Sequence, residues 1–109
     1  MRKDERKQAV DTWKERKRPA GIYALRCGAE VWVGATPDLD AIANRLRFTL
    51  EMGSHPHAGV RAMLSAQGAG AFTVERLEVL DEDVPAVARD RVLKARRSHW
   101  CDALGAAPL

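Results

Sequence analysis

The alternation of apolar and polar residues divides the chain into short strands and longer amphipathic helices. The segments GIYALRC and EVWVGA are rich in β-branched and aromatic residues, and a short turn containing Gly28 separates them. They predict an antiparallel hairpin. A third strand is predicted in FTVERLEVL, where interspersed charges indicate an exposed face or an edge position in the sheet.

The clearest predicted helix follows the hairpin in TPDLDAIANRLRFTLEMG. Thr36 is the expected N-cap, Pro37 the expected first helical residue, and Gly53 the expected end. The spacing of its apolar residues predicts one buried face, formed by Leu39, Ile42, Leu46 and Leu50.

Two further helices are predicted in the second half of the chain. After the loop SHPH, the segment AGVRAMLSAQGAGA predicts a short helix that ends at a glycine. A long helix is then expected to run to Gly105, with Asp83 as its N-cap and Pro85 in its first turn. Its expected core contacts are Val92, Leu93, Trp100 and Leu104.

Residues 1–19 are predicted to form a basic helical arm ended by Pro19. The first twenty residues hold eight Lys and Arg against four Asp and Glu, whereas residues 21–109 carry a net charge of −1. The arm could contact nucleic-acid phosphates, for instance through Lys14 and Arg18, because such contacts release counterions. A solvated helix pinned by Trp13 is the other interpretation.

The composition is that of a soluble, folded protein, since 46% of the 109 residues are hydrophobic and 30% are charged. Residues 20–109 are expected to form one domain. The element order predicts an α+β fold with a three-stranded antiparallel sheet flanked by helices, preceded by the extra N-terminal helix. No apolar run can cross a bilayer and no secretory signal begins the chain, so a cytoplasmic location without a membrane partner is expected; the oligomeric state stays open.

The two strands of the predicted hairpin carry paired triplets. Gly21-Ile22-Tyr23 opens the first strand, and Trp32-Val33-Gly34 ends the second. Together they resemble the signature of the GIY-YIG nuclease family. The similarity continues in order from residue 20 to residue 104, through Arg45 on a helix, His55 in the loop GSHPH, Phe72 opening a strand and Trp100 in the last helix.

This resemblance implies a Mg²⁺-dependent endonuclease site on a three-stranded sheet. Tyr23 would lie beside the attacking water, Arg45 would face the phosphate, and His55 matches a loop histidine of some members. Trp32 stands in the place of the second tyrosine and supplies no hydroxyl. In the family, a glutamate on the last helix holds the metal ion.

The largest departure from the family is at that glutamate, because Arg97 occupies its expected place three residues before Trp100. Mg²⁺ requires oxygen ligands, whereas a guanidinium repels the ion and can bind phosphate instead. We therefore expect the domain to bind nucleic acid, with DNA the expected form, while metal-dependent phosphodiester cleavage is weakened or lost.

Two alternatives stay open. The protein could be an active endonuclease that binds Mg²⁺ through another carboxylate, with Glu75, Glu78, Asp90 and Asp102 as candidates. It could also be a protein-interaction module that kept only the fold, which the net charge of −1 outside the arm favours.

Overall fold

A computed structural model describes residues 18–109, so residues 1–17 of the predicted N-terminal arm, including Lys14, lie outside the described residues. Three helices and four strands make up the described part of the chain. In chain order they are β1 (Gly21–Cys27), β2 (Glu30–Thr36), α1 (Leu39–Met52), α2 (Ala58–Gln67), β3 (Phe72–Val79), α3 (Ala86–Leu104) and β4 (Ala107–Pro108), with a short 3₁₀ turn at Ala69–Ala71 before β3.

The strands form one sheet in the order β3-β1-β2-β4. β1 pairs antiparallel with both β2 and β3, which confirms the predicted β1–β2 hairpin and places β1 between the other two predicted strands. The two residues of β4 pair in parallel with β2, so the sheet is mixed and four-stranded rather than purely antiparallel. The sequence gives no signal for β4, because it is too short for alternation and its Pro108 is tolerated only at an edge.

Helices cover both faces of the sheet, and the alternation of side chains along β1 sorts the core into two clusters. The first cluster lies between the sheet and α1 and α2, and its buried residues are Tyr23, Leu25, Cys27, Trp32, Leu39, Ile42, Leu46, Leu50 and Val60. The second lies between the sheet and α3, with Ala20, Ile22, Val33, Leu80 and Leu93 buried. The α+β expectation and the apolar face of α1 are thus confirmed.

The start of α1 differs from the prediction by two residues. Asp38 is its N-cap, and the carboxylate accepts hydrogen bonds from the N–H groups of Asp40 and Ala41 at 3.0 and 3.3 Å. Thr36 remains the last residue of β2, and its hydroxyl accepts from the N–H of Asp38 at 3.1 Å. The helix ends at Gly53 as predicted, in the left-handed conformation with φ 68°.

The long helix α3 also begins later than predicted, since Pro85 rather than Asp83 is its N-cap residue. Asp83 belongs to the preceding turn, where its N–H donates to the Asp81 carboxylate at 2.8 Å. The helix ends before Gly105, and the expected core contacts of Leu93 and Trp100 are confirmed. Neither α3 nor any other helix between residues 18 and 109 has the length and apolarity to span a bilayer.

Candidate functional site

The candidate site begins at Tyr23, near the middle of the central strand β1. Its side chain is only 6% exposed, and the residue opposite it on β2 is Gly34. A Cβ atom at position 34 would collide with the ring and the hydroxyl oxygen of Tyr23. The ring therefore lies across Gly34, and the phenol is held flat against β2.

Two arginines act on the Tyr23 hydroxyl from different elements. Burial raises the pKa of Tyr23 above its usual value of 10.0, and the positive charges of Arg45 and Arg97 partly oppose that rise. Arg45 is exposed on α1, whereas Arg97 is half-buried on α3. Tyr23 is thus a neutral phenol at pH 7, and the two positive charges that act on it belong to residues predicted from the sequence to be site residues.

Tyr23 also lines an open cavity of about 380 Å³. The other lining residues are Gly34, Ala35, His55, Pro56, His57 and Leu109. The Nη1 of Arg97 donates to the backbone oxygen of Leu109 at 3.3 Å, and the N–H of Leu109 donates to the Val33 carbonyl at 2.8 Å. The segment after α3 therefore brings Arg97 to the rim of the Tyr23 cavity.

His55 is the second buried polar group of the cavity, with 6% of its surface exposed. Its Nδ1 accepts a hydrogen bond from the N–H of His57 at 3.1 Å, so the neutral imidazole carries its hydrogen on Nε2. Burial lowers the pKa of His55 below 6.5, and the neighbouring His57 and Arg61 lower it further. His55 is therefore a neutral donor at pH 7.

Arg61 fixes the loop that carries His55. Its Nη1 donates to the carbonyls of His55 and Pro56 at 2.9 and 2.7 Å. His57 caps α2, since its Nδ1 accepts from the N–H groups of Gly59 and Val60, which leaves that nitrogen occupied. Sequence reasoning missed Arg61; its place one helical turn after His57 was the available signal.

Trp32 lies in the core behind this loop. Its ring stacks on Phe72 with centroids 6.2 Å apart and meets the His57 ring edge-on at 6.3 Å. Trp32 is 4% exposed and is not among the residues that line the Tyr23 cavity. Trp32 thus packs against the loop that contains His57.

Arg18, an expected phosphate contact, lies elsewhere. Its Nε is 3.7 Å from the Asp38 carboxylate, and its side chain is exposed. It lines a cavity of about 300 Å³ together with Asp40 and Arg89, and that cavity shares no residue with the Tyr23 cavity. Tyr23 and His55 thus line one cavity, Arg97 reaches it through Leu109, and Arg45 acts on Tyr23 by its charge, whereas Arg18 lies at a different cavity.

Glu78 is held by α3 on the other face of the sheet from Tyr23. Its Oε1 accepts hydrogen bonds from the Nε of Arg96 and the Nε1 of Trp100, both at 2.8 Å. Burial alone would raise the pKa of Glu78, but the bonds from Trp100 and Arg96 outweigh it and lower the pKa below 4.5. Trp100 thus anchors Glu78 and couples β3 to α3.

The remaining candidate carboxylates do not assemble a metal site with Tyr23. Glu75 pairs with Arg26 at 3.0 Å at the exposed surface, and Asp90 and Asp102 are exposed on α3. Within residues 18–109 there is no group of three His, Cys, Asp or Glu side chains arranged to hold a metal ion. Mg²⁺ needs oxygen ligands, so the residues around Tyr23 do not fit it.

Comparison of the fold with solved structures gives two matches. The catalytic domain of the homing endonuclease I-TevI aligns with a TM-score of 0.66 at 21% identity, over 83% of this chain and 97% of that domain. A mutant form of the same intron endonuclease domain aligns with a TM-score of 0.65 at 21% identity, over 80% of this chain and 84% of that one. The fold is GIY-YIG-like. No family model and no curated protein matches the sequence.

In this fold the two triplets pack against each other across the β1–β2 ladder. Tyr23 and Gly34 belong to different triplets, yet they form one packing unit across the β1–β2 ladder. Trp32 lies on the same face of β2 as Gly34, because side chains two residues apart share a face. The domain therefore has a GIY-YIG-like fold in which Tyr23 packs across Gly34 and the positive charges of Arg45 and Arg97 act on it.

Proposed function

We propose that this GIY-YIG-like domain binds nucleic acid, with DNA the expected form, through a phosphate group held near Tyr23, Arg45 and Arg97. We further propose that metal-dependent phosphodiester cleavage is weakened or lost. The observation that supports both parts is a buried, neutral Tyr23 phenol on which the positive charges of Arg45 and Arg97 act, with Arg97 bonded to Leu109 at the cavity that Tyr23 lines.

The groups around the cavity are complementary to phosphate. Arg45 and Arg97 can only donate hydrogen bonds, the neutral Tyr23 phenol can donate one, and neutral His55 presents Nε2–H. The non-bridging oxygens of a phosphodiester only accept hydrogen bonds and carry negative charge. A cluster of donors with two fixed positive charges matches that ligand, and arginine can bind it by two parallel bonds.

The same groups lack what hydrolysis requires. Water must lose a proton to attack the phosphorus, and a cation must stabilise the charge that develops. The raised pKa of Tyr23 keeps its proton on the oxygen, and the acceptor nitrogen of His55 is already bonded to His57. Arg97 stands where the family resemblance requires a metal-binding carboxylate.

Fluorescence anisotropy with labelled duplex DNA at low salt tests the binding. We expect Arg45→Ala to weaken affinity several-fold and to reduce the slope of log affinity against log salt by about one. Arg47→Ala is the matched control, because Arg47 lies two positions further on the same helix, points to a different side and donates to Asn44 at 3.1 Å. A labelled RNA of the same sequence compares the two nucleic acids.

Two results would overturn the proposal. Absence of DNA or RNA binding at low salt would contradict the binding part and favour the protein-interaction alternative. Nicking of supercoiled plasmid with Mg²⁺ that Tyr23→Phe abolishes would contradict the loss of cleavage and show an active endonuclease.

A further inference from the structure

The outward face of α1 carries an exposed apolar strip that continues from Arg45. Phe48 and Met52 follow Arg45 by three and seven residues, which places all three on one side of the helix. The Phe48 residue is 63% exposed and Met52 is 65% exposed. Neither Phe48 nor Met52 belongs to the hydrophobic core, to which α1 contributes Leu39, Ile42, Leu46 and Leu50.

The carboxylates of α1 lie off this strip. Asp40 is directed to the sheet, where it pairs with Arg76 of β3 at 2.8 Å. Glu51 lines a cavity with Phe72 and Val74, on the flank of α1 that faces β3. The strip of Arg45, Phe48 and Met52 therefore combines one positive charge with an aromatic and a thioether side chain, with Glu51 on its flank three residues after Phe48. That combination is complementary to a polyanion that also presents flat apolar groups.

The spacing fits a nucleotide. Three residues of α-helix advance about 4.5 Å along the axis, and stacked nucleotides in one strand are about 3.4 Å apart. A base next to a phosphate held at Arg45 can thus reach the Phe48 ring. Bases inside a duplex are already stacked on both sides, whereas an unpaired base has a free face for an aromatic side chain.

We propose that Phe48, assisted by Met52, stacks on an unpaired base of a nucleic acid whose phosphate is bound at Arg45. This inference rests on the proposed function and specifies its ligand class: nucleic acid with a single-stranded or gapped segment. Phe48 supplies the stacking surface, and the flexible side chain of Met52 packs against the edge of the base.

The experiment compares two fluorescein-labelled DNAs of equal length, a continuous duplex and a duplex with a short single-stranded gap, by anisotropy with the full chain. The unmodified protein is expected to bind the gapped DNA more tightly. Phe48→Ala should weaken binding to the gapped DNA about tenfold and leave duplex binding nearly unchanged. Phe48→Tyr should keep the preference for gapped DNA, because it keeps the aromatic face.

Val87→Ala is the matched control, since Val87 is 95% exposed on α3, which packs on the other face of the sheet.

The outcomes distinguish failure of the stacking role of Phe48 from failure of nucleic-acid binding at Arg45. If Arg45→Ala weakens binding but Phe48→Ala leaves the gapped DNA unaffected, the stacking role is wrong and the phosphate site stands. If neither variant alters binding, the proposed function fails as well. Concentration-dependent self-association in sedimentation experiments that Phe48→Ala abolishes would assign the strip to a second copy of the chain and overturn the stacking role.

Discussion

The aromatic ring of Tyr23 occupies the space that a side chain at Gly34 would need. The two residues face each other in the β1–β2 register, so the glycine of the second triplet is what allows the tyrosine of the first to lie flat. The hydroxyl is thereby held at the cavity that His55 also lines. Packing therefore requires a glycine opposite Tyr23, in addition to the resemblance of the two triplets to the family signature.

Gly34→Ala should therefore disturb both the fold and the site. The added methyl group must displace the Tyr23 ring, and overpacking of this kind typically costs about 1–3 kcal/mol. Urea denaturation is expected to show that loss, and DNA affinity should fall with it. Gly70→Ala is the matched control, because a Cβ atom there meets nothing within 4 Å and its φ is not positive. Unchanged stability and affinity in Gly34→Ala would contradict the packing argument.

The hairpin and the helix faces could be predicted because they depend on local patterns. The apolar runs around Gly28 and the helical spacing from Leu39 to Leu50 each place side chains on one side of an element. Tyr23, Arg45 and His55 could be named from the resemblance, because each stands at a recognisable place in the order of elements.

Other features depended on contacts that no local pattern encodes. β4 has two residues, and its pairing with β2 brings Leu109 next to Arg97. Thr36 followed by Pro37 predicts the start of α1, but the backbone path selects Asp38 as the N-cap. Arg18 lies at a separate cavity beside Asp38, because charge alone does not state where a side chain lies, and its contact with phosphate stays a prediction.

The bond between Trp100 and Glu78 should contribute to stability. Trp100→Phe keeps an aromatic ring but removes the Nε1–H donor to the Glu78 carboxylate, and a loss of about 1 kcal/mol is expected at pH 7, reduced by partial exposure. Because the folded pKa of Glu78 lies below 4.5, its stabilising effect is present above that value and lost as the pH falls through the folded pKa. In urea titrations, the deficit of Glu78→Gln should therefore shrink in acid.

The matched control for the Glu78 carboxylate is Glu75→Gln on the same strand. Glu75 pairs with Arg26 at the exposed surface, where such pairs contribute little. Equal effects of Glu75→Gln and Glu78→Gln would contradict a special role of the Trp100 bond.

His55 should make the folded protein less stable as the pH falls, whereas a histidine in a salt bridge makes a protein less stable as the pH rises. Its folded pKa lies below the ordinary 6.5, so between these two values the unfolded chain binds more protons. Stability should fall as the pH drops below about 6.5, until the folded pKa is passed. Thermal melts from about pH 7.5 to about pH 5.5 should show a smaller decline in His55→Gln, which removes the titrating group. If the decline in stability is the same in His55→Gln, groups other than His55 control the pH dependence.

Arg97→Glu tests whether position 97 is where a metal-binding carboxylate would act. The substitution removes a positive charge that acts on Tyr23 and supplies the oxygen ligand that Mg²⁺ requires. In the absence of Mg²⁺ we expect weaker DNA binding, because the new carboxylate repels phosphate, and in its presence we expect binding to recover. Nicking of supercoiled plasmid would then show that water bound to Mg²⁺ loses its proton without Tyr23 or His55 as the base. Arg91→Glu makes the same charge change at an exposed position of α3 and should give no response to Mg²⁺. If the two variants respond alike, position 97 does not face the phosphate and the assignment of Arg97 to the site is wrong.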